Sequence, residues 1–346
     1  MSSLRIWKKM SLIENRTRPK AFITGVTGQD GSYLVEFLLS KGYEVHGIVR
    51  RTSISNRTRI AHLCDRHDCF EKTFFLHHAD LEDTTTLRRL LIQISPQEIY
   101  HLAGQSHVGL SFEIPESTCE VGAMGTLRLL EIIRDMPQKP KFFHPASSEV
   151  FGSPQISPQN EDTPFNPVNP YGVAKAFAAQ MVKIYRQAYG IYSCNAIVYN
   201  HESPRRGEHF VSMKICRTVA EIKLGIQDVL RLGNLDAQRD WGDARDYVRA
   251  YWMMMQQPCP EDFIIATGQL HSVREMVKNA FNVVNLDWEK YVTQDARFFR
   301  PVEPYSLVGN PEKAKIKLGW SPKINFEQMI QDMVNNELKH LSNTLK

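Results

Sequence analysis

Lys20-Ala21-Phe22-Ile23-Thr24-Gly25-Val26-Thr27-Gly28-Gln29-Asp30-Gly31 is the stretch on which the fold of this chain turns. Its first five residues are a short apolar run that reads as a buried strand, and three glycines follow at a spacing of Gly-x-x-Gly-x-x-Gly. After them Tyr33, Leu34, Phe37 and Leu38 recur at helical spacing until Gly42 stops the pattern. The order is strand, glycine turn, helix. Glycines let the backbone turn sharply and approach a pyrophosphate, whose charge is met by the N-terminus of the helix.

Working outward, a second strand, Tyr43 to Val49, ends in Arg50-Arg51. Asp or Glu at that point would suit the ribose hydroxyls of NAD, whereas arginine suits an extra 2′-phosphate, so NADP is the expected cofactor. Further strands are expected at Phe74 to His77, Glu98 to Ala103 and Lys141 to His144, with helices at Leu87 to Ile94 and Gly125 to Arg134 between them. This alternation predicts an α/β fold, a Rossmann-type doubly wound parallel sheet with ligands at the carboxyl ends of its strands. Asp80, Gln105, Ser106 and Ser147 fall at those ends. Beyond Asn200 the plain alternation stops. Helices over Phe210 to Leu224, Arg245 to Met255, Val273 to Val284 and Phe326 to Leu338, with a strand at Phe263 to Thr267, read as completion of the sheet and a smaller C-terminal α/β substrate lobe. Met253 to Met255 with Tyr251 and Trp252 read as core packing.

The expected organisation is an N-terminal extension over 1–18, a cofactor domain over 19–200 completed by 243–267, and a substrate lobe over 201–346, with segments interleaved. At 346 residues and 42% apolar content the chain is long enough for a large core. No segment approaches eighteen consecutive apolar residues, and a formal charge of +4 with interleaved signs gives no nucleic-acid footprint. Cysteines at 64, 69, 119, 194, 216 and 259 form no regular framework, which suits a reducing compartment and a cytoplasmic protein. His62, Cys64, His67 and Cys69 crowd too closely to resemble the two separated pairs of a zinc site, so no metal is expected.

A second cluster carries chemistry. In Tyr171-Gly172-Val173-Ala174-Lys175, a helix would set the phenol and the ammonium on one face, where the charge should favour the ionised phenol. Ser147-Ser148-Glu149 stands upstream. Arg239, Arg245 and Arg300 offer forked guanidinium groups of the kind that suits a diphosphate, or alternatively carboxylate pairing.

Taken together, Gly25 to Tyr33, Val45 to Arg51, Gln105-Ser-His-Val108, Tyr171 to Lys175, Asn200-His-Glu-Ser-Pro-Arg-Arg-Gly207 and Gly233-Asn-Leu-Asp-Ala-Gln-Arg-Asp-Trp-Gly242 closely resemble the GDP-mannose 4,6-dehydratase family of extended short-chain dehydrogenase/reductases. The resemblance runs from about Lys20 to the final helix. It implies a catalytic set of Ser147, Glu149, Tyr171 and Lys175. It implies cofactor contacts from Gly25, Thr27, Gly28, Gln29, Asp30, Gly31, Arg50, Arg51, Ser53, Asp80, Leu81, Leu102, Ala103, Gln105, Ser106, Lys175, His201 and Arg206. Asn200, Lys214, Gly233, Arg239, Arg300 and Glu303 would meet the GDP-sugar. The implied reaction oxidises C4 of GDP-mannose, removes the C5 proton, expels water from C6 and returns the hydride to C6. A homotetramer assembled through the segment from Arg50 to Arg59 is implied as well. This chain departs from the family pattern in Ser147 for a usual Thr, Phe151 for a usual Tyr, Ser117 for a frequent aromatic, and an inverted Ala103-Gly104 pair. The competing readings are a dehydratase or epimerase of another nucleotide sugar, such as a GDP-heptose, and a non-catalytic NADP-binding module.

Overall fold

The computed structural model describes residues 18–53, 56–298 and 307–345. The opening run becomes β1 (Lys20–Thr24), with Ala21, Phe22, Ile23 and Thr24 wholly buried. Such a strand has covered faces on both sides, as a central parallel strand requires. β2 (Glu44–Val49), β3 (Phe74–His78), β4 (Glu98–His101), β5 (Lys141–Ser147), β6 (Ser193–Val198) and β7 (Phe263–Ile265) join it in one parallel sheet of order β7-β6-β5-β4-β1-β2-β3. The order reverses between β1 and β4, which opens a crevice at their carboxyl ends. β4 stops two residues short of the expected Ala103, because the Ala103 amide turns to donate to the Thr24 hydroxyl at 3.1 Å.

Helices α1 (Gln29–Ser40), α2 (Thr84–Ile94), α3 (Gly125–Asp135), α4 (Pro170–Tyr189), α5 (Val211–Lys223), α6 (Ala244–Met255), α7 (Val273–Val283) and α8 (Phe326–Thr344) follow the periodicity of the apolar residues. α1 packs Leu34, Val35 and Leu38 against α6, whose Tyr251, Met254 and Met255 are core residues as read from the sequence; Trp252 and Met253 pack only partly buried against that core, and Tyr247 joins it. Leu129, Ile132 and Ile133 of α3 cover the other side of the sheet with Leu87 and Leu91 of α2. A separate core gathers Met213 and Val219 of α5, Val277 and Phe281 of α7, and Met329 and Ile330 of α8. α8 continues six residues past the expected Leu338, to Thr344. Among the described residues no helix is long and apolar enough to cross a membrane.

Candidate active site

Where β1, β4, β5 and β6 end, the chain opens a cleft of about 510 Å³. Its floor is the glycine turn. Gly25 sits at φ +73°, and a Cβ there would lie 2.7 Å from the Ala103 nitrogen; a Cβ on Gly31 would lie 2.2 Å from the Gly25 carbonyl oxygen. Neither position has room for a side chain, so the backbone amides opening α1 stay accessible to an anion. This cradle fits the pyrophosphate of a dinucleotide.

Asp30, in the turn, meets residues from far along the chain. Its Oδ2 accepts from His201 Nε2 at 2.8 Å and from the Tyr251 hydroxyl at 2.9 Å. His201 Nδ1 lies 2.8 Å from the Tyr199 carbonyl, which can only accept, so both ring nitrogens face acceptors. Burial alone would push the two groups toward neutrality. Their mutual charge and hydrogen bonds outweigh it, lowering the Asp30 carboxyl to about 2 and raising His201 above its ordinary value. The His201 ring stacks on Tyr247 at 4.6 Å.

The chemistry-bearing wall is built by the end of β5 and the start of α4. β5 delivers Ser147, and a single 3-10 turn, Ser148–Val150, presents Glu149, whose amide donates to the Ser147 hydroxyl at 3.3 Å. Asn169 caps α4, its side-chain oxygen accepting from the Gly172 amide at 2.8 Å, while its amide nitrogen donates to Glu149 Oε2 at 2.8 Å. One residue thus fixes both the helix bearing Tyr171 and the carboxylate opposite it. An Asn before Pro170 is a legible helix start; its second bond is not, since it depends on the fold.

The expected electrostatics of Tyr171 and Lys175 need correction. Helical spacing does bring them to one cleft, but Lys175 Nζ donates to the Pro145 carbonyl at 2.7 Å and lies 6.0 Å from the centre of the Tyr171 ring. Burial pushes the Tyr171 phenol up to about 12, only partly offset by its hydrogen bond with Ser147, and brings Lys175 down to about 8. Desolvation wins over the neighbouring charge, so the phenol keeps its proton at rest.

The cleft brings together Ser147, Glu149, Tyr171 and Lys175 with Gly25, Gly28, Gln29, Asp30, Gly31, Leu102, Gln105, Ser106, His201 and Arg206, and with Asn200, Lys214, Gly233 and Arg239. Other expected residues stand back from it. Leu81 is a core side chain packed under Gly125, and the Asp80 carboxylate accepts from the Glu82 amide at 3.3 Å. The Thr27 carbonyl accepts from Arg59, and Ala103 is tied to Thr24. Arg50, Arg51 and Ser53 lie exposed just past β2, beyond the cleft lining. Arg300 and Glu303 lie outside the described residues. Arg245 takes the carboxylate alternative: it grips the buried Asp243 through two bonds of 2.7 and 2.8 Å and reaches Asp332 at 2.7 Å, joining α6 to α8. Phe151 is wholly buried beside Phe165 and does not line the cleft. The far wall includes His107, His209 and Phe210, which the sequence did not single out; the Arg206 guanidinium lies 3.5 Å over the Phe210 ring. Lys214 Nζ lies 3.5 Å over the ring of Phe298.

Comparison with known proteins is consistent across sequence and structure. The family model described as GDP-mannose 4,6 dehydratase matches residues 22–333. The chain is 49% identical to a GDP-mannose 4,6-dehydratase of Yersinia enterocolitica, over 92% of this chain and 94% of that protein. It is 46% identical to the Homo sapiens GDP-mannose 4,6 dehydratase, over 94% and 92%. Among solved structures, a dTDP-glucose 4,6-dehydratase of Streptomyces venezuelae with NAD and TYD bound superposes with a TM-score of 0.81 at 22% identity, over 94% of this chain and all of that one, which is a likeness of fold. A match running through nearly the whole of both sequences, on a sheet and cleft of this form, means that this chain belongs to the GDP-mannose 4,6-dehydratase family.

Proposed function

We propose that the chain is an NADP-dependent hydro-lyase that converts GDP-D-mannose to GDP-4-keto-6-deoxy-D-mannose. Family membership supports the substrate, and the placing of Glu149 supports the reaction. A carboxylate held by Asn169 in the same cleft as Ser147 and Tyr171 is what a dehydration needs and a plain reduction does not. NADP⁺, when bound, supplies a hydride acceptor for C4 and, once reduced, the donor for C6.

Tyr171, neutral at rest, must first release its own proton to solvent; as the phenolate, with Ser147 sharing the hydrogen bond, it takes the C4 hydroxyl proton. A C5 proton becomes acidic only beside a C4 ketone; Glu149 then removes it and returns a proton to the C6 hydroxyl, which leaves as water. Lys175, buried and cationic, anchors the ribose side of the cofactor and adds positive potential near Tyr171. Asn200, Lys214, Gly233 and Arg239 line the part of the cleft assigned to the GDP-sugar; Arg300 and Glu303 are assigned to the same ligand from the sequence resemblance.

NADP is favoured over NAD because Arg50 and Arg51 stand at the end of β2 with Ser53 nearby, where an adenosine 2′-phosphate would lie. The glycine turn, Asp80, Leu81, Leu102, Ala103, Gln105, Ser106, His201 and Arg206 complete that assignment. Residues 19–200 with 243–267 serve as the cofactor domain and 201–346 as the sugar-nucleotide lobe. The protein works in the cytoplasm as a homotetramer joined through the segment from Arg50 to Arg59; a monomeric mass in light scattering would refute the tetramer. The primary test is incubation with GDP-mannose and NADP⁺, followed by mass spectrometry. A product lighter by one water, without net NADPH, is expected. Unchanged substrate mass beside an active control enzyme would overturn the proposal.

A further inference from the structure

Behind the part of the cleft assigned to the sugar nucleotide lies a buried polar hub that the chemistry above does not use. Arg239 and Asn200 line the cleft there, and each has a buried neighbour in the chain. Asp240, 1% exposed, follows Arg239, and Tyr199, 2% exposed, precedes Asn200. The short strands Asn200–Glu202 and Trp241–Asp243 pair in parallel with Asn200 opposite Trp241. One step back along both chains therefore sets Tyr199 beside Asp240.

Asp240 takes donors on both carboxylate oxygens. Oδ1 accepts from the Thr267 amide at 2.8 Å and the Thr267 hydroxyl at 2.6 Å. Oδ2 accepts from the Gly268 amide at 2.9 Å and the Gly309 amide at 3.3 Å. Thr267 and Gly268 lie just past β7, the strand at the edge of the main sheet, so the carboxylate fastens the backbone beside Arg239 to that sheet.

Gln159, wholly buried, closes the hub from the other side. Its Oε1 accepts from the Tyr199 hydroxyl at 2.8 Å and the Val308 amide at 3.1 Å, and its Nε2 donates to the Ile156 carbonyl at 2.9 Å. Its backbone donates to the Val308 carbonyl at 2.9 Å and accepts from the Asn310 amide at 2.8 Å. Gly309, between them, is pressed so closely that a Cβ would lie 2.5 Å from that of Ala266 and 2.7 Å from the Tyr199 ring. A hub so fully bonded and packed has little freedom to shift. Two residues of the cleft wall extend from it, Arg239 from Asp240 and Asn200 from Tyr199.

We propose that Asp240 is a positioning residue for the sugar nucleotide: by fixing the backbone at Arg239, it aims that guanidinium at the diphosphate. The inference rests on the proposed assignment of Arg239 to the sugar nucleotide. A forked guanidinium binds a diphosphate well only when its plane is correctly set, so a small shift of the backbone beneath it is felt at the ligand. Asparagine could not replace the carboxylate. One oxygen would accept where two did, and the new NH₂ would face N–H donors, so the hub would lose at least one of its ties.

The test is calorimetric titration of GDP, and separately of NADP⁺, into the wild type, Asp240→Asn, Thr267→Val and Arg239→Gln, each checked for folding by circular dichroism. Asp240→Asn should weaken GDP about tenfold and leave NADP⁺ within about twofold. In turnover, KM for GDP-mannose should rise by a similar factor while kcat changes less than about threefold. Wild-type GDP affinity in a folded Asp240→Asn protein, or an equal loss of NADP⁺ affinity, overturns the proposal. So does a fall in kcat with KM unmoved. Should Asp240→Asn not fold, Thr267→Val decides, because it removes only the shortest of the four bonds. GDP about threefold weaker with NADP⁺ unchanged is expected there, and unchanged GDP affinity overturns the proposal. Arg239→Gln separates the inference from its premise. Loss of GDP affinity in that variant with none in Asp240→Asn defeats the positioning role alone, whereas wild-type affinity in Arg239→Gln defeats the assignment on which it rests.

Discussion

Replacing Asp30 by Asn keeps the size of the side chain and removes its charge, leaving His201 beside a neutral amide. In the native protein the Asp30 carboxyl lies at about 2 against an ordinary 3.8. At ~1.4 kcal/mol per unit, that difference is worth ~2 kcal/mol of folding stability near neutrality. The raised value of His201 reports the same pair and is not added to it. The sign of the pH dependence follows from both partners. A depressed carboxyl contributes fully above its unfolded value and loses the contribution as pH falls through its folded value, so the gap between wild type and variant should narrow from about pH 4 downward. A histidine raised in the fold contributes below its unfolded value and loses the contribution as pH rises through its folded value, so the gap should narrow again above 6.5. Urea unfolding at a series of pH values measures the gap directly. A plateau near 2 kcal/mol between these limits is expected. A gap independent of pH from 3.5 to 8.5, or none, would show that Asp30 and His201 are not joined as ions.

Three further outcomes follow from the cleft. Glu149→Gln keeps a side chain for Asn169 to hold and loses the base, so NADPH absorbance should accumulate to about one per site while dehydration slows on the order of 10³-fold; water loss at the wild-type rate would exclude Glu149 as the C5 base. Gly31→Ala sets a Cβ 2.2 Å from the Gly25 carbonyl and should weaken NADP⁺ binding at least about tenfold in fluorescence titration; unchanged affinity would mean the turn is not the pyrophosphate cradle. Asn169→Ala should lose about 1 kcal/mol from the missing cap and also lower kcat, since the carboxylate loses its tether; a stability change with kcat intact would separate the cap from the chemistry.

The parts of this molecule written in local pattern could be read directly from the chain. The apolar run before Gly25, the glycines that exclude side chains, and the four-residue spacing of Tyr171 and Lys175 are short-range signals, and each gave its element. What could not be read depends on residues distant in sequence. Asp30 and His201 are separated by 171 positions, and nothing local marks either as the other's partner. Arg245 resembles a diphosphate ligand until Asp243 and Asp332 are seen to occupy it. The spacing of Tyr171 and Lys175 reveals a neighbouring charge but not the depth of burial, and burial dominates here. Arg50 and Arg51 follow β2 as expected, and their exposure belongs to the loop beyond the carboxyl end of that strand, which the motif alone does not describe.

The second core has a consequence for how the chain acquires its shape. Its apolar faces belong to α5, α7 and α8, so Met213, Ile215, Val219 and Ile222 find their final partners only after Phe326 to Val334 have left the ribosome. Most strands of the nucleotide half, β1 to β6, come from the preceding sequence, and its core is completed by Phe263 of β7 and by Leu318 and Trp320. During synthesis α5 is therefore a sticky amphipathic segment waiting for its mate, and the interval is an opportunity for chaperones and for aggregation alike. Slowed translation between Lys223 and Phe326 would prolong that exposure without altering the finished protein.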